Sequence, residues 1–158
     1  MTFTVKSVST RLGVRPADLD SLGHVNNARV LEYLETSRWH WLDANGLAGR
    51  RRVVPVVSRV RIDYLRQIPV CELRVDTSLE LPVDEDLEFT FRVRFQQVVA
   101  EPGRAGSAFA RAELEVAFVE LGSGRLSSVA EFLGSSHEHD LAPSPPPLHQ
   151  PTVSADAT

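Results

Sequence analysis

Residues 26–44 read NNARVLEYLETSRWHWLDA, and this stretch decides the fold. Val30, Leu31, Leu34, Trp41 and Leu42 recur at helical spacing, so the segment is predicted to form one long helix with an apolar face. Asn26 is the expected N-cap, and Asn45-Gly46 supplies the stop at the other end. Everything after it changes period. In 71–81, Cys71, Leu73, Val75, Thr77, Leu79 and Leu81 alternate with Glu72, Arg74, Asp76, Ser78 and Glu80. Phe89, Phe91, Val93 and Phe95 alternate with charged and polar residues over 88–96. Ala108, Ala110, Ala112, Leu114, Val116 and Phe118 alternate with Phe109, Arg111, Glu113 and Glu115 over 108–118. Residues 54–64 alternate more loosely through Val56, Val60, Ile62 and Tyr64. Strands with one apolar and one polar face belong to an antiparallel sheet half covered by other structure.

A first strand at about 3–14 completes the order β-α-β-β-β-β, and Ser127 to Leu133 adds a short terminal helix. The economical packing is an α+β domain: one five-stranded antiparallel sheet curled around the single long helix. A sheet with one covering helix leaves edges exposed, so association through an edge strand is expected. Residues 1–134 form this domain. Residues 135–158, SSHEHDLAPSPPPLHQPTVSADAT, are rich in proline and serine and are read as a flexible tail.

The 158 residues carry a net charge of −4, a poor electrostatic match for nucleic acid. No apolar run approaches the roughly 20 residues that cross a bilayer, and the N-terminus has no signal-peptide pattern. One cysteine excludes an internal disulfide framework, so the class is a soluble, cytoplasmic domain without membrane or nucleic-acid partners. Lys6 is the sole lysine, which reads as compositional bias. His137 and His139 fall in the tail and are read as solvated rather than as metal ligands. With no cysteine cluster, no structural zinc is expected.

No nucleophile elbow, P-loop, dinucleotide fingerprint or zinc-protease motif occurs. The chemistry-bearing stretch lies between the first strand and the helix, where Asp18, Asp20, Gly23, His24, Asn26 and Asn27 run into a helix N-terminus. Free N–H groups there favour an anion or a developing oxyanion, and an adjacent carboxylate stays ionised. The same residues also fit a purely conformational role: an Asx turn, a tight bend at Gly23 and a cap at Asn26. Local physics leaves the two readings level.

The segment Asp18-Leu-Asp-Ser-Leu-Gly-His-Val-Asn-Asn27, followed by Leu31-Glu-Tyr-Leu-Glu-Thr-Ser-Arg38, resembles the hotdog-fold thioesterases. It is most similar to the 4-hydroxybenzoyl-CoA thioesterase (YbgC-like acyl-CoA thioesterase) family, through the pattern D-x-D-x-x-G-H-V-N-N…E-x-x-R. Asp-x-x-x-His-Val-Asn-Asn also resembles the active-site region of plant acyl-ACP thioesterases. Arg61-Ile-Asp-Tyr-Leu-Arg66 resembles the family's second strand and its I-x-Y/F-x-x-P turn, although Gln67-Ile68-Pro69 delays the proline here. The resemblance covers roughly residues 5–133.

It implies a hotdog fold and hydrolysis of an acyl-CoA or acyl-carrier-protein thioester by a homodimer or homotetramer, without a cofactor. The second aspartate of D-x-D carries over as the catalytic carboxylate, which is Asp20, acting as nucleophile or as general base on water. His24 carries over as a catalytic candidate, with a loop-shaping role as its alternative. Gly23, His24 and Val25 lie where the family places oxyanion N–H groups, and Asn27, Tyr64 and Arg66 lie where substrate approaches. Glu35 is a supporting candidate, because some relatives use a helix glutamate, but an intrahelical pair with Arg38 is the simpler expectation. Asp18 is read as loop-shaping and Cys71 as an unactivated core thiol. Arg50-Arg51-Arg52 precedes a strand and is either a solvated cluster or a contact for a nucleotide phosphate or a carrier helix. A hotdog hydratase or dehydratase and a non-catalytic acyl-thioester binding protein are the rival readings, separated by whether free thiol appears.

Overall fold

The computed structural model describes residues 4–49, 51–82, 86–104 and 106–134, so the tail assignment, with His137 and His139, lies outside the described residues. Strand β1 (Val8–Gly13) is followed by a short 3-10 turn at Pro16–Asp18 and helix α1 (Asn27–Ala44). Strands β2 (Val53–Tyr64), β3 (Glu72–Glu80), β4 (Arg92–Ala100), β5 (Ala108–Glu120) and β6 (Leu126–Ser127) come next, and helix α2 (Val129–Gly134) closes the described chain. The sheet order is β1-β3-β4-β5-β2, with β6 pairing β5. Every pairing is antiparallel.

Helix α1 starts where its cap predicts: the Asn26 side chain accepts the Ala28 N–H at 2.8 Å. It ends at Asn45, and Gly46 takes a positive φ of 68°. Val30, Tyr33, Leu34, Ser37, Trp41 and Leu42 form its buried face, which lies against β1 and β3. Leu31, expected in the core, is 44% exposed because it sits on the outer side of the second turn. Trp41 meets Phe95 of β4 edge-on at 4.9 Å, and Phe118 stacks on Phe132 of α2 at 4.6 Å. Burying each such side chain contributes about 1.5–3 kcal/mol. One long helix against the face of an antiparallel sheet is the hotdog architecture, of the α+β class.

Three expectations shift. The fourth strand is displaced to 92–100, so Phe89 and Phe91 precede it and are exposed, while Val93, Phe95, Gln97 and Val99 point inward. Gln97 occupies a core position because it is fully bonded: its amide donates to Leu34 O and Thr77 Oγ1, both at 2.9 Å, and it accepts from Arg38 at 3.0 Å. Phe109, placed on the polar face by alternation, is buried in the core because the β4–β5 register shifts there, Val99 pairing with Ala110 and Ala100 with Ala108, and the Arg66 guanidinium lies over its ring at 4.4 Å. Among the described residues the first strand runs over 8–13, shorter than the 3–14 expected.

Candidate active site

The chain between β1 and α1 is built on a buried carboxylate. Asp18 has no accessible surface. Its carboxylate accepts the Tyr33 hydroxyl at 2.6 Å, the Arg15 backbone N–H at 3.1 Å, and the Arg15 guanidinium at 3.0 and 3.3 Å. Tyr33's hydrogen bond first, and Arg15's second, hold Asp18 at a pKa of about 2. Burial, and then the Asp18 charge, push the Tyr33 phenol well above its usual range. The loop-shaping role expected of Asp18 thus has a specific form, an ion-paired anchor. Tyr33 and Arg15 were not singled out in the sequence, although Tyr33 falls on the apolar face of a helix with a hydroxyl that needs a partner there.

Beyond Asp18 the chain turns back on itself. A bridge between Leu19 and Val25 closes a hairpin, with the Asp20 N–H donating to His24 O at 2.7 Å and the Gly23 N–H to Asp20 O at 3.1 Å. Gly23 sits at φ 80°, the left-handed region a side chain rarely adopts. Asp20 is exposed. Its Oδ1 accepts the N–H groups of Leu22 at 2.9 Å and His24 at 3.2 Å, which leaves Oδ2 unbonded among the described residues. His24, four residues on, is half-buried. Carboxylate, hairpin and helix start are therefore consecutive, with the positive end of the α1 dipole following directly.

This hairpin already uses the N–H groups that the resemblance places at the oxyanion. The Gly23 N–H is taken by Asp20 O, the His24 N–H by Asp20 Oδ1, and the Val25 N–H by Ile68 O at 3.0 Å. The Asn26 N–H goes to Asp18 O, the Ala28 N–H to the Asn26 side chain, and the Arg29 N–H to Asn26 O. Asn27, the first residue of α1, keeps its backbone N–H without an acceptor among the described residues. Its carbonyl accepts the Tyr64 hydroxyl at 3.2 Å, so the end of β2 lies beside it. The predicted Tyr64 and Asn27 are thus brought together.

Other candidates lie apart. Glu35 is exposed further along α1, and Arg38 donates to Gln97 rather than closing an ion pair with it. Arg66 is held over Phe109 and by the carbonyls of Ser107 and Ala108. Arg51 donates to Phe132 O over that ring, and Arg52 pairs with Glu120 at 3.6 Å; Arg50 lies outside the described residues. Cys71 is half-buried, and burial pushes its thiol up, away from nucleophilic use. Among the described residues no group of three or more His, Cys, Asp or Glu could hold a metal, and no helix is long and apolar enough to cross a membrane.

A sequence model of the thioesterase-like superfamily matches residues 14–147. The chain is 35% identical over 80 residues to the long-chain acyl-CoA thioesterase FadM of Escherichia coli (strain K12), a match covering 45% of this chain and 56% of that one. It is 33% identical over 116 residues to the uncharacterized protein YsmA of Bacillus subtilis (strain 168), covering 64% and 79%. Among solved structures, the probable thioesterase YbaW from Escherichia coli superposes with a TM-score of 0.61 at 25% identity, covering 81% and 97%.

Proposed function

From the premise that this chain belongs to the thioesterase-like superfamily, we propose that it hydrolyses the thioester of an acyl-CoA or an acyl carrier protein to the free acid and thiol. The observation that carries this reading is the state of Asp20. One carboxylate oxygen is fixed by two backbone N–H groups, and the other is left open on an exposed hairpin that leads into a helix N-terminus. A carboxylate so held can attack without first reorganising its own surroundings.

Two routes use it. As a nucleophile, Asp20 Oδ2 adds to the thioester carbonyl, the C–S bond breaks and the thiolate leaves with a proton from water. The resulting anhydride is then hydrolysed to acid and carboxylate. As a general base, Asp20 takes a proton from water while that water adds to the same carbonyl, and returns it to the departing sulfur as the C–S bond breaks, so that the thiol leaves and the carboxylate is restored. In both, the open Asn27 N–H at the positive end of α1 is the donor available to the oxyanion. This replaces the Gly23, His24 and Val25 donors expected from the sequence. Tyr64 fixes that residue from the other side. His24 gives its backbone N–H to the carboxylate and remains a catalytic candidate, whereas Arg66 is held over Phe109 and Glu35 lies further along α1.

The reading extends to a cytoplasmic homo-oligomer assembled through β2, whose outer edge has no partner among the described strands and exposes Val56, Val57 and Val60. The relative named as a long-chain acyl-CoA thioesterase makes long-chain acyl-CoAs the first substrates to try. The test is thiol release from a panel of acyl-CoAs and acyl carrier proteins, wild type beside Asp20→Asn, with substrate-free blanks for the Cys71 thiol. An amide at position 20 still accepts the Leu22 and His24 N–H groups, so folding should survive while turnover falls by about 10²–10⁴-fold. Undiminished hydrolysis by the variant would sink the assignment of Asp20. Acyl-CoA binding without thiol release by the wild type would make this a binding protein.

A further inference from the structure

We propose that Asp18 and Tyr33 form the positioning device of the site: the Asp18 carboxylate, gripped by the Tyr33 hydroxyl, fixes the base of the hairpin against α1 and thereby sets where the Asp20 carboxylate stands. The inference rests on the reading of Asp20 as the reacting group, and adds the part of the chain that aims it.

The connectivity carries the argument. Asp18 is two residues before Asp20 and is tied in two ways to the element that follows the hairpin. Its backbone oxygen accepts the N–H of Asn26, the cap of α1, at 2.8 Å. Its side chain accepts from Tyr33, in the second turn of α1, at 2.6 Å. Arg15 wraps the same carboxylate from the preceding side, and Arg29 Nε approaches to 3.9 Å. The hairpin's own bonds, between Asp20 and residues 22–24, hold its shape. The links through Asp18 hold its orientation relative to the helix whose first N–H is open.

Energetics favour a positioning role over a merely space-filling one. A fully buried carboxylate costs several kcal/mol in desolvation unless charge and hydrogen bonds offset it. Here four such bonds and a cation are supplied to hold a loop that a neutral side chain could occupy more cheaply. Such a constellation fixes position steeply, because weakening any bond re-exposes that desolvation cost. A misplacement of about 1 Å at the reacting group costs about 10²-fold in rate.

Tyr33→Phe tests this, since it deletes one oxygen and keeps the ring in the core. The expected result is a fall in kcat of about 10- to 100-fold with KM nearly unchanged. Amide hydrogen exchange should quicken more at Leu22, Gly23 and His24 than in β3 and β4, where it should change only by the loss of global stability. In an Asp20→Asn background, assayed at high enzyme concentration, the same substitution should cost nothing further, because it acts through Asp20. Equal fold-losses in both backgrounds, exchange raised evenly across the sheet, or unchanged kcat with unchanged hairpin exchange would each overturn the proposal. Wild-type turnover in Asp20→Asn alone would instead remove the reading of Asp20, while the exchange data would still report whether Tyr33 holds the hairpin.

Discussion

The hydroxyl of Tyr64 donates to the backbone carbonyl of Asn27 across 3.2 Å, so the last residue of β2 and the first residue of α1 hold one another. The bond is neutral and Tyr64 is 45% exposed, so its net worth lies toward the low end of about 0.5–1.5 kcal/mol. Tyr64→Phe should therefore leave the melting temperature nearly unmoved and lower kcat by less than about tenfold, the ceiling that such an energy sets. Steady-state hydrolysis by the variant measures this. A loss of several hundredfold would mean that the hydroxyl meets the substrate directly.

The open N–H of Asn27 allows a sharper experiment. Proline is tolerated at the first position of a helix because its missing N–H has no intrahelical acceptor there. The preceding Asn26, at φ −62° and ψ 135°, already has the extended conformation that a following proline demands. Asn27→Pro should therefore keep α1 and remove only the proposed oxyanion donor, cutting kcat by about 10²–10³-fold with the fold intact. Asn27→Ala retains the N–H and should stay close to wild type. Circular dichroism with kinetics on both variants decides it, and equal activity in the two would place the oxyanion donor elsewhere.

The helix, the inward positions of β3 and β5 and the cap at Asn26 were legible in the sequence because each follows from local periodicity or a single side-chain bond. The displaced β4 was not. Its true inward set continues through Gln97, and a glutamine breaks an apolar pattern unless one knows that Leu34 O, Thr77 and Arg38 satisfy it. Phe109 misled because a register shift against β4 turns it inward next to Ala110, which strict alternation does not allow for. In the proposed site, Asp20 and Asn27 were named from motif and helix start. The spent donors at Gly23, His24 and Val25 did not, because they depend on the pairing of Leu19 with Val25 and on the reach of Val25 to Ile68.

Asp18 gives stability a defined response to acid. Its pKa is about 2 in the folded chain, below the value of about 3.9 for a free aspartate. A depressed carboxylate contributes stability that is fully present above the unfolded pKa and is lost as pH falls through the folded one. The window therefore runs from about pH 4 down to about pH 2. Tyr33→Phe removes the largest cause of the depression, so wild type should melt above the variant by a constant margin near neutrality. That margin should shrink through the window. Melting curves of both proteins against pH test it, and a margin that stays constant down to pH 2 would show that Tyr33 acts on packing alone.

Strand β2 presents the remaining prediction. Among the described residues it pairs only with β5, and it carries exposed Val56, Val57 and Val60, with an irregularity between Val57 and Arg59. A long edge with apolar side chains is a template for pairing with another strand, and a lysine there is a natural block. Because β2 ends at Tyr64, which touches Asn27, a second copy paired along this edge would stand beside the site and complete its wall. Light scattering on the wild type should give at least twice the 17.5 kDa of one chain, and Val60→Lys should give that single mass. Turnover should fall in the same variant although Asp20, Asn27 and their hydrogen bonds are untouched. A monomeric wild type with full activity would remove the second copy from the site, and a monomeric but fully active Val60→Lys would separate assembly from catalysis.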